Sequence, residues 1–158
     1  MKKNEKTNVM RVLDQKKVSY VSHSYVDTDA ISGVEVAKVL NQDPNQVFKT
    51  LVTIGASKKY YVYLVPVHKE LDLKKAAKAV GEKSIVMLPA KDLLPLTGYI
   101  HGGCSPIGMK QQFQTTIDHT AANFDTIVFS AGKIGYQVEL PLEELKKVIR
   151  FELKEITE

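Results

Sequence analysis

The chain has 158 residues, 44% hydrophobic and 25% charged, with 22 Lys and Arg against 18 Asp and Glu for a net charge of +4. That length lets one domain spanning residues 1–158 bury a core without metal or disulfide staples, and the single cysteine, Cys104, excludes an intrachain disulfide and a multi-cysteine metal cage. No apolar run approaches the roughly 18 residues of a membrane span, and the basic start leads into a polar-punctuated helical pattern rather than a signal-peptide core, so the expectation is a cytoplasmic chain without membrane contact.

Residues 7–16 read as an amphipathic helix, with Val9, Val12 and Leu13 at helical spacing and Thr7 or Asn8 as the N-cap. Residues 18–25 alternate and are rich in β-branched and aromatic side chains, which predicts a half-buried strand. Ser32 stands three residues before Glu35, the spacing of a capping box, and opens a short helix that stops near Asn41, before Pro44. Residues 47–54 and 60–67 are strand-like runs separated by a Gly-containing loop, a β-hairpin pattern. Residues 71–80 form a strong helix closed by Gly81. Residues 84–88 predict a short strand and 90–96 a short helix whose end Pro95 disfavours. Strands over 115–118, 126–129 and 137–140 and a helix over 141–149, with Pro141 in its first turn, complete the chain. Strands and helices alternate irregularly with at least one hairpin, so the fold class is α/β or α+β with a mixed sheet flanked by helices.

Several familiar sites are absent. The chain contains no Gly-x-x-x-x-Gly-Lys-Ser/Thr phosphate loop, no Gly-x-Ser-x-Gly elbow and no His-Glu-x-x-His helix. The histidines, His23, His68, His101 and His119, lack metal-ligand spacing, so neither a metal nor an organic cofactor is expected. Two glycine-rich segments remain, one holding Gly102, Gly103, Cys104, Ser105, Pro106 and Gly108 and the other Ser130, Gly132, Lys133 and Gly135. Backbone N–H groups freed of a Cβ can approach a phosphate or a developing oxyanion closely. Each segment alone also reads as ordinary turn punctuation, although three glycines, a proline and a hydroxyl within seven residues impose more constraint than a turn requires. Lys49 lies in an apolar run between Phe48 and Leu51, where a lysine is either the solvent-facing residue of an edge strand or a working cation. The lysines Lys74, Lys75 and Lys78 are candidates for phosphate contact, and equally for a solvated helix face.

The run Val47-Phe48-Lys49-Thr50-Leu51, followed by Gly-Gly-x-Ser-Pro-x-Gly and then Ser-x-Gly-Lys-x-Gly, resembles the YbaK/EbsC family of bacterial Cys-tRNA(Pro) deacylases, in order and spacing, over about residues 18–149. The resemblance implies a barrel-like mixed sheet, hydrolysis of mischarged aminoacyl-tRNA, and prolyl-tRNA synthetase as a partner. It makes Lys49 the functional lysine with Thr50 beside it, and Tyr25 an aromatic pocket residue. It puts Gly102, Gly103, Ser105, Pro106 and Gly108 on one substrate loop and Ser130, Gly132, Lys133 and Gly135 on a second. Ser32 stands where some relatives carry phenylalanine and Gln137 where some carry aspartate, which leaves the amino-acid specificity open between cysteine and alanine. Those departures also keep a non-catalytic tRNA- or synthetase-binding module as the alternative. Cys104 occupies a variable position and reads as a core residue rather than a nucleophile. For a cysteinyl ester the resemblance implies attack by the substrate's own thiol, with Lys49 as a positioning charge.

Overall fold

In the computed structural model, which describes residues 6–158, Thr7 sets the first element. Its hydroxyl accepts a hydrogen bond from the Met10 N–H and starts α1 (Asn8–Gln15), whose Val9, Met10 and Leu13 are buried. The basic residues 1–5 lie outside the described residues. Lys17 takes a left-handed φ of 57° and the Val18 N–H returns to the Leu13 carbonyl, so residues 18–20 serve the helix exit. The strand predicted over 18–25 is therefore shorter, β1 (Val21–Ser24). Next comes α2 (Gly33–Val39), where Ser32 and Glu35 form the predicted capping box in full.

The hairpin forms as predicted, from β2 (Phe48–Gly55) and β3 (Tyr60–Pro66). Asp72 caps α3 (Leu73–Val80), and Gly81 ends it with a left-handed φ of 76°. Leu71, expected inside that helix, instead bridges to Thr157. After β4 (Ile85–Met87), α4 (Ala90–Thr97) accommodates Pro95 in its last turn, before Gly98. β5 (Gln114–Asp118) leads through a 3-10 turn to β6 (Ile127–Ser130) and β7 (Tyr136–Leu140).

The final helix is corrected from 141–149 to α5 (Leu142–Leu145), with Pro141 as its N-cap residue rather than inside the first turn. Beyond Leu145 the backbone bonds tighten to the three-residue step at Lys147 to Glu144 and Val148 to Leu145, and a last four-residue bond, Ile149 to Leu145, keeps those two buried side chains on one face. One strand is not expected from the sequence: β8 (Glu152–Lys154), whose three residues, Glu-Leu-Lys, hold a single apolar side chain and no β-branched or aromatic one.

The strands make a mixed five-stranded sheet of order β4-β2-β3-β5-β8 and an antiparallel three-stranded sheet of order β1-β7-β6. The expected class of mixed sheet with flanking helices holds, but the sheet does not close into a barrel. The two sheets are joined by one parallel bridge, Val47 to Val128, with the Val128 N–H on the Gln46 carbonyl at 3.1 Å. The main core lies between them and gathers Phe48, Val52, Val62, Leu64 and Ile117 from the larger sheet and Ile127, Phe129, Tyr136 and Val138 from the smaller, with α1. α3 covers the opposite face of the larger sheet over Tyr63, Val65 and Ile156. No helix among the described residues is long and apolar enough to cross a membrane.

Asp118 holds the carboxy-terminal end in place. It is fully buried, and its two oxygens accept hydrogen bonds from the Ile156 N–H and from the Thr120 N–H and hydroxyl. Asp118→Ala leaves buried donors unpaired, and urea titration should record a loss of about 2–4 kcal/mol, whereas an exposed control such as Lys58→Ala should change little.

Candidate active site

The bridge between the sheets fixes the site. Val47 and Val128 pair in parallel, and Lys49 and Ser130 lie two residues beyond them on their respective strands, so alternation places both on the same face. Lys49 is thus on a strand inside the larger sheet, between β3 and β4, but on the part of β2 that β4, pairing only from Thr53, does not cover. Its ammonium is part-shielded, with 29% of the side chain exposed, and stands 3.5 Å from Glu70 Oε2, on a side chain 73% exposed. A pair this long and this open to water contributes little, so an incoming anion can replace Glu70 at small cost.

Thr50 behaves differently from its neighbour. Its side chain points to the opposite face, among Phe48, Val52 and Leu64, with the hydroxyl buried and unpartnered among the described residues. Its backbone does face the site. Gln46 and Val52 both turn their carbonyls away from β3, to Val128 and Leu88, and the two-residue period gives Thr50 the same direction. β6 touches this side of β2 only at the bridge and β4 begins opposite Thr53, so the Thr50 N–H and carbonyl open on a notch between them.

The two glycine loops come together as one wall. A Cβ on Gly103 would lie 3.2 Å from the Ile134 nitrogen and 3.5 Å from the Lys133 Cα, so a side chain here would push the two backbones apart by a few tenths of an ångström. Gly132 takes φ +90°, and a Cβ there would meet Tyr99 and Val9 at 2.9 Å. Several loop amides are committed within the protein: Gly103 to Ile100, Ile107 to the Ser105 hydroxyl, Gly132 to the Ser130 hydroxyl and Ala131 to Tyr136. An oxyanion hole would have to draw on the other amides of the loops or on Thr50. Ser105 and Pro106 are buried inside the first loop, while Gly102 and Gly108 are exposed. Lys133 is exposed, its ammonium 5.8 Å from the centre of the Tyr136 ring. Cys104 is buried, which pushes its thiol up to about 12 and makes it a poor nucleophile at neutral pH.

Opposite the loops, Tyr25 is buried and its N–H binds the Gly135 carbonyl at 2.8 Å, tying the β1 exit to the second loop. The Ser32 hydroxyl serves the α2 cap. The first turn of α2 lies over the β3 exit: a Cβ on Gly33 would fall 2.5 Å from Val67. Register sets His23, Gln137 and Ser130 in one row across the smaller sheet, continuing towards Lys49. Gln137, which the sequence marks only as a departure, accepts a hydrogen bond from Gln42 Nε2 at 2.8 Å.

Two further residues carry no local sequence signal, because they are 116 positions apart: His23 Nε2 and Glu139 Oε1 lie 2.7 Å from each other. Glu139 also accepts from the Thr126 hydroxyl, which in turn is held by Gln46. Burial pushes the Glu139 carboxyl up, but the hydrogen bonds from Thr126 and His23 outweigh it and hold the group below the usual glutamate range.

The assembly offers a shielded cation, an open strand edge and a glycine-lined wall, the elements needed to hold an anionic ester or its oxyanion. Residues 28–148 match the family model described as an aminoacyl-tRNA editing domain. A relative from Enterococcus faecalis (strain ATCC 700802 / V583), provisionally named the Cys-tRNA(Pro)/Cys-tRNA(Cys) deacylase EbsC, is 45% identical over 99% of this chain and 96% of its own length. Among solved structures, one described as a provisional trans-editing enzyme for prolyl-tRNA synthetase superposes with a TM-score of 0.81 at 21% identity, covering 96% of this chain and 98% of its own. The hypothetical protein APE2540 superposes with a TM-score of 0.84 at 17% identity, covering 96% of this chain and all of its own. Both structural likenesses are of fold.

Gly132→Ala should cost about 1–3 kcal/mol by thermal unfolding, from its left-handed φ together with the Tyr99 contact. Glu139→Gln should cost about 1 kcal/mol at neutral pH. Because the folded carboxyl titrates below its unfolded value, this stabilisation is present above the unfolded pKa and is lost as pH falls through the folded one. Parallel denaturant titrations of wild type and variant should therefore converge in acid.

Proposed function

The chain belongs to the aminoacyl-tRNA editing domain family, within its YbaK/EbsC group, and from that premise we propose that it is a trans-editing deacylase that removes cysteine from mischarged Cys-tRNA(Pro). The observation that carries the reading is the juxtaposition of Lys49, on the part of β2 that β4 leaves uncovered and with only a loose, solvent-exposed carboxylate beside it, with Ser130 and the paired glycine loops.

Lys49 is the positioning cation, and the terminal phosphate or the reacting ester takes the place of Glu70. The open N–H of Thr50 and the uncommitted amides of the loops receive the oxyanion. Tyr25 and the Gln42–Gln137 pair bound the amino-acid side of the site, with Ser32 contributing at the rim. The remaining loop residues, Gly102, Gly108, Lys133 and Gly135 among them, shape the substrate surface.

The nucleophile belongs to the substrate. The cysteinyl sulfur attacks its own ester carbonyl, a carbon–sulfur bond forms, and the ester carbon–oxygen bond breaks. The thiol proton ends on the released ribose oxygen, and the cyclic product is a thiolactone. Buried Cys104 takes no part. Protein groups supply position and charge, which suffice for an ester already activated for acyl transfer. Work in trans fits a partnership with prolyl-tRNA synthetase, which would deliver the proline tRNA to a chain with a charge of only +4.

A deacylation panel of Cys-tRNA(Pro), Cys-tRNA(Cys), Ala-tRNA(Pro) and a thiol-free isostere of the cysteinyl ester, with and without the synthetase, tests the reading. Cysteinyl substrates should be cleaved and the thiol-free ester spared, with a thiolactone trapped by an added amine. Alanine release at a comparable rate would overturn the thiol mechanism, and no release from any substrate would favour a binding module. Lys49→Ala should lower kcat/KM for Cys-tRNA(Pro) about 100-fold or more while leaving the melting temperature near wild type.

A further inference from the structure

Of the lysines that the sequence offers for phosphate contact, Lys75 is already engaged, while Lys74 and Lys78 are exposed. Lys75 donates to Glu155 and to the Thr157 carbonyl, both at 2.9 Å, so the middle of the α3 row is committed to the carboxy-terminal segment. A different surface combines free positive charge with exposed ring faces. At the start of β5, two grooves flank Phe113. One, of about 350 Å³, opens towards Lys59 and Tyr60. The other, of about 650 Å³, opens towards Arg150 and Phe151. Tyr60 and Phe113 meet edge to face at 5.7 Å between ring centres, so the grooves adjoin across that pair. Phe113 and Phe151 are only partly buried, each resting on the main core.

The charge is favourable. Arg150 is exposed and forms no ion pair among the described residues. Lys146 is bound at 2.8 Å only to Glu143, whose side chain is 80% exposed, a pair that water and salt weaken readily. Lys59 adds a third cation at the far end, against one lining carboxylate, Glu152, which already has Lys154 at 3.8 Å. The glutamines at 112 and 114 supply amide donors and acceptors along the floor of both grooves.

Aromatic faces alternating with a guanidinium, ammonium groups and amides suit a strand that carries phosphates on one side and flat bases on the other. We propose that this double groove is a second RNA-binding site that holds tRNA away from its aminoacylated end, with Arg150 and Lys146 on phosphates and Phe113 and Phe151 beneath unpaired bases. The inference rests on the deacylase reading and deepens it. Lys49 pairs with Val65 whereas Gln114 lies beside Tyr61, four residues along β3, so the groove is about 13 Å along the strand from the reactive site and two strands across, on β5 where Lys49 is on β2. It therefore contacts RNA beyond the terminal nucleotide.

The test uses the full chain and the surface variant Lys146→Gln/Arg150→Gln, with Phe113→Leu as a second variant. Affinity for deacylated tRNA is read by fluorescence anisotropy over a salt series, and deacylation is compared between full-length Cys-tRNA(Pro) and a short cysteinylated oligonucleotide ending in CCA. The double variant should bind full-length tRNA about tenfold more weakly, with a log–log salt slope shallower by about 2, and should cleave the short substrate as wild type does. Phe113→Leu should weaken tRNA binding with an unchanged salt slope. An unchanged affinity and slope for full-length tRNA, or an equal loss on the short substrate, would overturn the proposal. So would an altered sedimentation mass with unchanged tRNA affinity, which would make the groove a self-association surface. If wild-type protein binds tRNA through the groove but cleaves no substrate, the deacylase reading fails and the binding site stands.

Discussion

One parallel bridge, Val47 to Val128, carries the organisation of the site. Its backbone bond from Val128 to Gln46 brings together the ends of two sheets that are otherwise separate ladders, while Val67 to Val47 continues the β2–β3 hairpin beside it. Because side chains alternate along both strands, this single step decides which residues become neighbours two positions on. Lys49 and Ser130 come to share a face two residues beyond the bridge, and the second glycine loop follows β6 on that side. Shifting the register by one residue would present Thr50 instead and turn Lys49 into the core, where an ammonium with no partner is far more costly than the observed half-shielded position. Val47 and Val128 are themselves nearly inaccessible, in a small cluster with Ala37 and Val67, so α2 seals the bridge from above.

The same economy appears in the loops. Gly103 lies against the Lys133–Ile134 backbone and Gly132 against the Tyr99 and Val9 side chains, so the wall of the site is assembled by close approach of backbone to backbone and of backbone to core. Tyr99, buried and with its phenol pushed up to about 12, donates to the Ile107 carbonyl and pins the first loop to the core. A rigid wall with few nucleophilic groups suits a reaction whose substrate brings its own. Protein-derived nucleophiles would have to be added to such a site at the expense of the close backbone approach that defines it.

Much of this was legible in the chain. The capping box at Ser32, the hairpin over 47–67 and the end of α3 at Gly81 depend on interactions within a few residues, and all three appear as the local pattern dictates. Elements fixed by distant partners were not legible. β8 is three residues long and exists because β5 offers it an edge and Asp118 holds the Ile156 N–H behind it. α5 is shorter than its pattern because the backbone after Leu145 passes into three-residue turns, which the local sequence does not announce. In the site, Lys49 and the two loops stood out as residue types in unusual company. The opposite orientations of Lys49 and Thr50 follow from the strand period alone, yet the motif presents them as a unit. The His23–Glu139 contact and the Gln42–Gln137 pair join residues roughly a hundred positions apart, and nothing in either neighbourhood announces them.

The bridge puts Lys49 and Ser130 on one face, and the proposed function makes them parts of one site. A double-mutant cycle on kcat/KM for Cys-tRNA(Pro) deacylation, with Lys49→Ala, Ser130→Ala and the pair, measures that directly. Strong non-additivity is expected, a coupling of about 1 kcal/mol or more, because in the proposed reaction the two groups bear on the same ester. Losses that simply add would mean that the two residues act independently and do not form one site.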